Sequence, residues 1–191
     1  MASAARNERD ATLRVCFLGL MAAMIFVLNY LRIPFMGTQL HMTNALCVLS
    51  GLLFGPGAGF LAAGLGSALY DIVAGWGAEC VITFINKGAI ALVAGLIAHR
   101  AAHRAALTRA DHAKIVIASV LGASVYVALY MLKTFVFGLL VNGMTVEGVS
   151  ASMLSKLPGS LINAVFSFIV APVLLGALRP ALRQAGLFDK L

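Results

Sequence analysis

Charge is scarce in this chain. Asp, Glu, Lys and Arg make up 11% of its 191 residues, against about a quarter in a typical soluble domain, too few to clothe a surface facing water. Cysteine occurs three times, at Cys16, Cys47 and Cys80, without the close spacing that a metal or redox motif needs; all three read as small buried hydrophobes. No GxxxxGK[ST] stretch is present, which excludes ATP hydrolysis by that phosphate loop, and HExxH and GxSxG are missing too, leaving a protease or acyl hydrolase without its usual constellation. The basic N-terminus and the apolar run after it are not followed by a polar segment with a small-residue cleavage site, so the run reads as a retained helix.

What is abundant is oil. Hydrophobic residues make up 61% of the chain and its mean hydropathy is +0.97, which places it in a membrane. A spanning helix takes about 20 residues, so the apolar segments leave room for five or six spans and no separate soluble domain. The net charge of +7 would suggest nucleic acid in a soluble protein. Here the bases gather in particular loops and read as membrane orientation, with no nucleic-acid partner. Arg6, Arg9 and Arg14 lie in the polar N-terminus (1–12) and just beyond it, Arg100, Arg104, Arg109 and Lys114 in the segment 99–114, and Arg179, Arg183 and Lys190 in the tail 179–191. All three on the cytoplasmic side require an even number of spans. The expectation is a single-domain, all-α integral membrane protein, a six-transmembrane-helix bundle with both termini cytoplasmic.

The predicted helices are 13–31, 44–54, 56–73, 79–98, 115–141 and 158–178. The second is too short to span unless it tilts or recruits the preceding loop, 32–42, where Pro34 and Gly37 break the first helix. Pro56 opens the third helix and Pro158 the sixth, after a long outer loop at 142–157 with room for a short helix of its own. In the first helix Gly19 and Ala23, with Ala22 beside them, form a surface of small residues at which another helix can approach closely, either a partner's or one of this chain's own.

Within the apolar stretch 51–99 stand residues that a lipid-facing helix would not carry. A charged side chain in hydrocarbon costs at least about 2.5 kcal/mol unless it is paired or faces water, so each is a functional candidate. Glu79, Thr83, Asn86 and Lys87 share one face of the fourth helix; Tyr126, Tyr130, Lys133 and Thr134 share one face of the fifth. The third contributes Ser67, Tyr70 and Asp71, and the sixth Ser160, Asn163 and Ser167. Counting inward from the outer ends, Lys87 lies about 12 Å deep, Lys133 about 13 Å and Asn163 about 8 Å, all in the outer half of the bilayer. Polar stripes meeting at one depth imply an outward-opening pocket for a small polar ligand, with Asn44, His41 and Gln39 at its mouth and Asn44 placed to reach the ligand. Gln39 and His41 read as loop residues. The competing reading is that Asp71 or Glu79 pairs with Lys87 or Lys133 only to hold the bundle together. Trp76 also reads as an interfacial anchor. His99 and His103 have a metal-like spacing but sit among arginines, and read as a solvated helix end.

Three segments resemble one family: SGLLFGPGAGFLAAGLGSALYDIVAG, TFINKGAIALVAGLIAH and LPGSLINAVFSFIVAP are similar, in this order, to the S components of energy-coupling-factor (ECF) vitamin transporters. The resemblance implies a six-helix subunit, not an enzyme, that binds a vitamin or precursor at its outer side. It further implies docking on a transmembrane coupling (T) protein driven by two ATPase subunits, with no cofactor, and places Asn163 at a recurrent asparagine. The family's docking helix commonly carries Ala-xxx-Ala, where this chain has Gly19-xxx-Ala23. Among the branches, those assigned to hydroxymethylpyrimidine, riboflavin or related vitamins are the most similar. The expected ligand contacts are Asn44, Tyr70, Asp71, Glu79, Asn86, Lys87, Tyr126, Tyr130, Lys133 and Asn163, and the expected docking residues Gly19, Ala22 and Ala23. Mixed charge at these positions fits a neutral heterocycle or a zwitterion better than a multiply charged anion. The alternative class is a self-sufficient proton-coupled carrier using Asp71 and Glu79, for which the sequence shows no repeated halves.

Overall fold

The computed structural model describes residues 2–190; the side chain of Arg6, counted above among the cytoplasmic bases, lies outside the described residues. Six helices follow in order: α1 (Ala2–Leu28), α2 (Thr43–Phe54), α3 (Pro56–Val73), α4 (Cys80–Ala102), α5 (Arg109–Leu140) and α6 (Val146–Gln184). Four stretches, Glu8–Leu28, Gly77–Ala102, Arg109–Leu140 and Val146–Gln184, are long and apolar enough to cross a membrane. The protein is an all-helical membrane protein of six helices.

At its centre stands α2, all 12 residues of which are buried. A helix apolar on every side has no face to give to water, and at about 18 Å this one is shorter than the hydrocarbon core. It packs against α3, α4 and α6. Glycine permits the closest of these contacts: a Cβ at Gly51 would stand 2.0 Å from the carbonyl oxygen of Ala91 on α4. Donors from neighbouring helices meet the last carbonyls of α2, those of Leu52, Leu53 and Phe54. His99 Nδ1 lies 3.0 Å from the first, His103 Nε2 2.8 Å from the second, and Arg14 Nη2 donates to the third at 3.2 Å. His99 and His103 are therefore not a solvated helix end; they cap a buried helix terminus, whose free carbonyls need partners.

The segment 32–42, expected to be an irregular loop, supplies the remaining depth as a hairpin. β1 (Arg32–Phe35) pairs antiparallel with β2 (Thr38–His41), with Arg32 opposite His41 and Pro34 opposite Gln39. Its two-residue turn has positive φ at both Met36 (42°) and Gly37 (72°), which matches the right-handed twist of the strands.

The expected sixth helix is too short. Instead of an outer loop at 142–157, α6 runs unbroken for 39 residues, about 58 Å, and Pro158 lies inside it together with Pro172 and Pro180. Its start is fixed upstream, where the Thr145 side chain accepts the Gly148 N–H as an N-cap, and Val149, fully buried, ties the added turns to the bundle. Similarly, α5 begins at Arg109, with a Thr108–Asp111 capping box, so most of the basic segment 99–114 is helical. The surface of small residues on α1 is divided. Ala22 faces α3, where a Cβ at Gly66 would stand 2.3 Å from its carbonyl oxygen, whereas Gly19 and Ala23 are exposed.

Candidate functional site

The hairpin covers one end of the bundle, and beneath it lies a cavity of about 440 Å³, within the range of small-molecule sites. Seven of the sequence-predicted residues meet on its wall: Asp71 from α3, Glu79 from the turn after it, Asn86 and Lys87 from α4, and Tyr126, Tyr130 and Lys133 from α5. The helical stripes converge because α3, α4 and α5 pack consecutively side by side.

Each charged group has a distinct setting. Lys133 forms an ion pair with Glu79, both side chains being partly exposed to the cavity. Lys87 is buried, and its ammonium donates to Asn44 Oδ1 at 2.5 Å and lies 5.0 Å from the ring centre of Tyr126, within cation–π range. Pairing between acid and lysine thus occurs at Glu79 and Lys133, while Lys87 takes a neutral partner. Tyr126 and Tyr130 stand nearly parallel, 17° apart with ring centres at 5.8 Å, and present an aromatic wall.

Three sequence-predicted residues do not line the cavity. Asn44 is fully buried behind it and holds Lys87. Tyr70 lies beneath Arg32, whose guanidinium carbon is 4.1 Å from the ring centre, and against the edge of Tyr30. Asn163 grips β2: its Oδ1 accepts the His41 N–H at 3.0 Å and its Nδ2 donates to the Gln39 carbonyl at 2.8 Å. A single amide thereby takes the place of a third strand at the inner edge of the hairpin.

Sequence reasoning put Gln39 and His41 at the cavity mouth only as loop residues, and left out Arg32 and Pro34. Arg32, Pro34, Gln39 and His41 all line the cavity, joined by Trp76 at the rim and by Lys156 from the upstream turns of α6. The signal was there: Arg32, Pro34, Gln39 and His41 alternate with Ile33 and Leu40 at the period of two that a strand would show. Arg32 Nε donates to the Asn29 carbonyl at 2.7 Å, and its Nη1 hydrogen-bonds Gln39 Oε1 across the pair of strands. Burial holds the His41 ring well below the usual histidine pKa, with Lys87 and Arg32 adding repulsion, so the ring is neutral at pH 7. Among the described residues, His41 Nδ1 and Asn86 Oδ1 in the cavity wall and Asn44 Nδ2 behind it are buried without a hydrogen-bond partner. Unsatisfied polar atoms cost about 1–3 kcal/mol each, and a polar ligand bonded to His41 and Asn86 would remove that cost at the wall.

The basic residues of the 99–114 segment and of the C-terminal turns gather at the opposite end, where Arg179 and Arg183 donate to the carbonyls of Arg104 and Ala105. A polar, ligand-sized cavity enclosed by apolar helices defines a membrane-embedded binding protein for a small solute. The chain belongs to the S components of ECF-type riboflavin transporters, the family that residues 9–180 match. Its fold is similar to a solved structure described as the S component of a bacterial ECF transporter, with a TM-score of 0.65 at 19% identity over 88% of this chain and 96% of that one. No curated protein matches the sequence. S components are non-enzymatic binding subunits, and this one is a multi-pass membrane protein.

Proposed function

We propose that this S component captures a vitamin or vitamin precursor built on a small heterocycle, riboflavin or a relative, in the cavity beneath the hairpin. The observation that carries this reading is the cavity itself: about 440 Å³, walled by two parallel tyrosines and ringed by polar groups, at the end of the bundle away from the basic loop. By the positive-inside rule that end faces outward, where a nutrient is met. The flat ring lies along Tyr126 and Tyr130, while Lys87, Asn86 and the hairpin fix its orientation. A T protein and two ATPases then supply the energy, with the exposed small residues Gly19 and Ala23 of α1 as the docking face.

The test is mass spectrometry of small molecules released from detergent-purified protein, with thermal stabilisation measured across a vitamin panel. One heterocyclic vitamin at a stoichiometry near one per chain is the expected result. A blank together with no stabilisation by any vitamin would overturn the reading.

A further inference from the structure

Judged from the helices alone, the charge in the cavity is balanced, Lys87 and Lys133 against Asp71 and Glu79. The structure changes that balance. The two elements that helical periodicity did not predict, the hairpin and the upstream turns of α6, each bring one more ionised side chain to the wall, and both are basic: Arg32 and Lys156. Four cations then face two carboxylates, an excess of two positive charges, and His41 in the same wall is neutral.

The excess is not cancelled within the protein. Glu79 is committed to Lys133. Among the described residues neither Arg32, Lys87 nor Lys156 has a carboxylate in ion-pair contact; Arg32 is held by neutral oxygens and a ring, and Lys87 by an amide and a ring. A buried ammonium with only neutral partners remains short of compensating charge, and a second cation nearby raises that cost. With Glu79 paired to Lys133, Asp71 alone stands against Arg32, Lys87 and Lys156, which leaves the balance positive by two.

We infer that the ligand of this cavity carries an anionic group, a carboxylate or a phosphate, drawn to the wall at Lys87 and Arg32, with Lys156 by the hairpin turn adding positive charge to the same cavity. The inference rests on the vitamin-capture reading above and makes it narrower: riboflavin itself, the ligand in the family's description, is neutral. One anionic group fits, because Asp71 and Glu79 in the same wall would repel a ligand carrying several.

The experiment uses the full chain in detergent and pairs of vitamins that differ chiefly in an anionic group: riboflavin and its 5′-phosphate, nicotinamide and nicotinate, panthenol and pantothenate. Affinities are read by calorimetry, alongside the mass spectrum of any co-purified molecule. In whichever pair binds, the anionic member is expected to bind at least about tenfold more tightly, a difference that falls to within about threefold in Lys87→Gln. Should Lys87→Gln fail to fold, Lys156→Gln, changed at a partly exposed position, is expected to reduce the same preference. A co-purified vitamin ionised as an anion at pH 7 supports the inference, whereas a neutral or cationic one overturns it and leaves vitamin capture standing. Equal or tighter binding of the neutral member has the same consequence. No binding in any pair, with no co-purified molecule, overturns both.

Discussion

Asn163, expected among the ligand contacts, hydrogen-bonds the backbone of the hairpin. An asparagine in hydrocarbon needs partners, and the helical face it shares with Ser160 and Ser167 points it into the bundle, toward the level of the cavity. Its amide is nevertheless spent on the backbone of β2. Asn163→Ala would leave the His41 N–H and the Gln39 carbonyl without that partner, a loss of about 1–3 kcal/mol in local stability. The expected outcome is at least a tenfold loss of ligand affinity together with faster hydrogen exchange in residues 32–41 and unchanged exchange in α4 and α5. If affinity falls while exchange in the hairpin stays the same, Asn163 touches the ligand instead of positioning the strand. The same logic separates Lys87 from Lys133, since burial against Asn44 and an ion pair with Glu79 are different fates for two lysines that share one sequence signature.

Among the elements, α2 decides the architecture. Being short and wholly buried, it lets α3, α4 and α6 close around it, and its tightest crossing depends on Gly51 having no side chain. A methyl there would meet backbone, which cannot swing aside as a flexible side chain can. Gly51→Ala is expected to destabilise the protein by about 1–3 kcal/mol or more, read as a lowered melting temperature in detergent. Gly57→Ala, in the first turn of α3 with open space around it, is expected to leave the melting temperature unchanged or slightly raised. Equal effects at the two sites would show that helix propensity, not the α2–α4 approach, sets the cost. The hairpin works with α2 as a pair: the helix ends short of the outer surface, and the strands fill the depth it leaves and bring their polar face to the ligand.

Taken as a whole, the molecule separates its tasks by position. The cavity lies at one end, the basic cluster at the other, and the exposed small residues of α1 lie on the flank between them. On the proposed reading, capture and docking depend on different residues. Ala23→Trp places a bulky ring on an exposed position of α1, and the expected result is vitamin binding within about twofold of wild type with loss of co-purification with a T protein and of uptake in reconstituted vesicles. If uptake survives, the T protein docks elsewhere. Loss of binding would show instead that α1 shapes the cavity.

The sequence by itself determined the solvent, the helical class, the segregation of basic residues and seven residues of the cavity wall, because each follows from a local rule. Too little charge means lipid, and a 3.6-residue period puts Thr83, Asn86 and Lys87 on one face of α4 wherever the helix goes. Only the tertiary structure decided what depends on contacts distant along the chain. A four-residue strand is stable here because Asn163, more than 120 residues away, completes it. Pro158 lies within a helix instead of opening one because the turns upstream are capped at Thr145 and anchored by Val149. The positive excess of the cavity belongs to the same group, since Arg32 and Lys156 acquire meaning only where the hairpin and α6 come to the same wall.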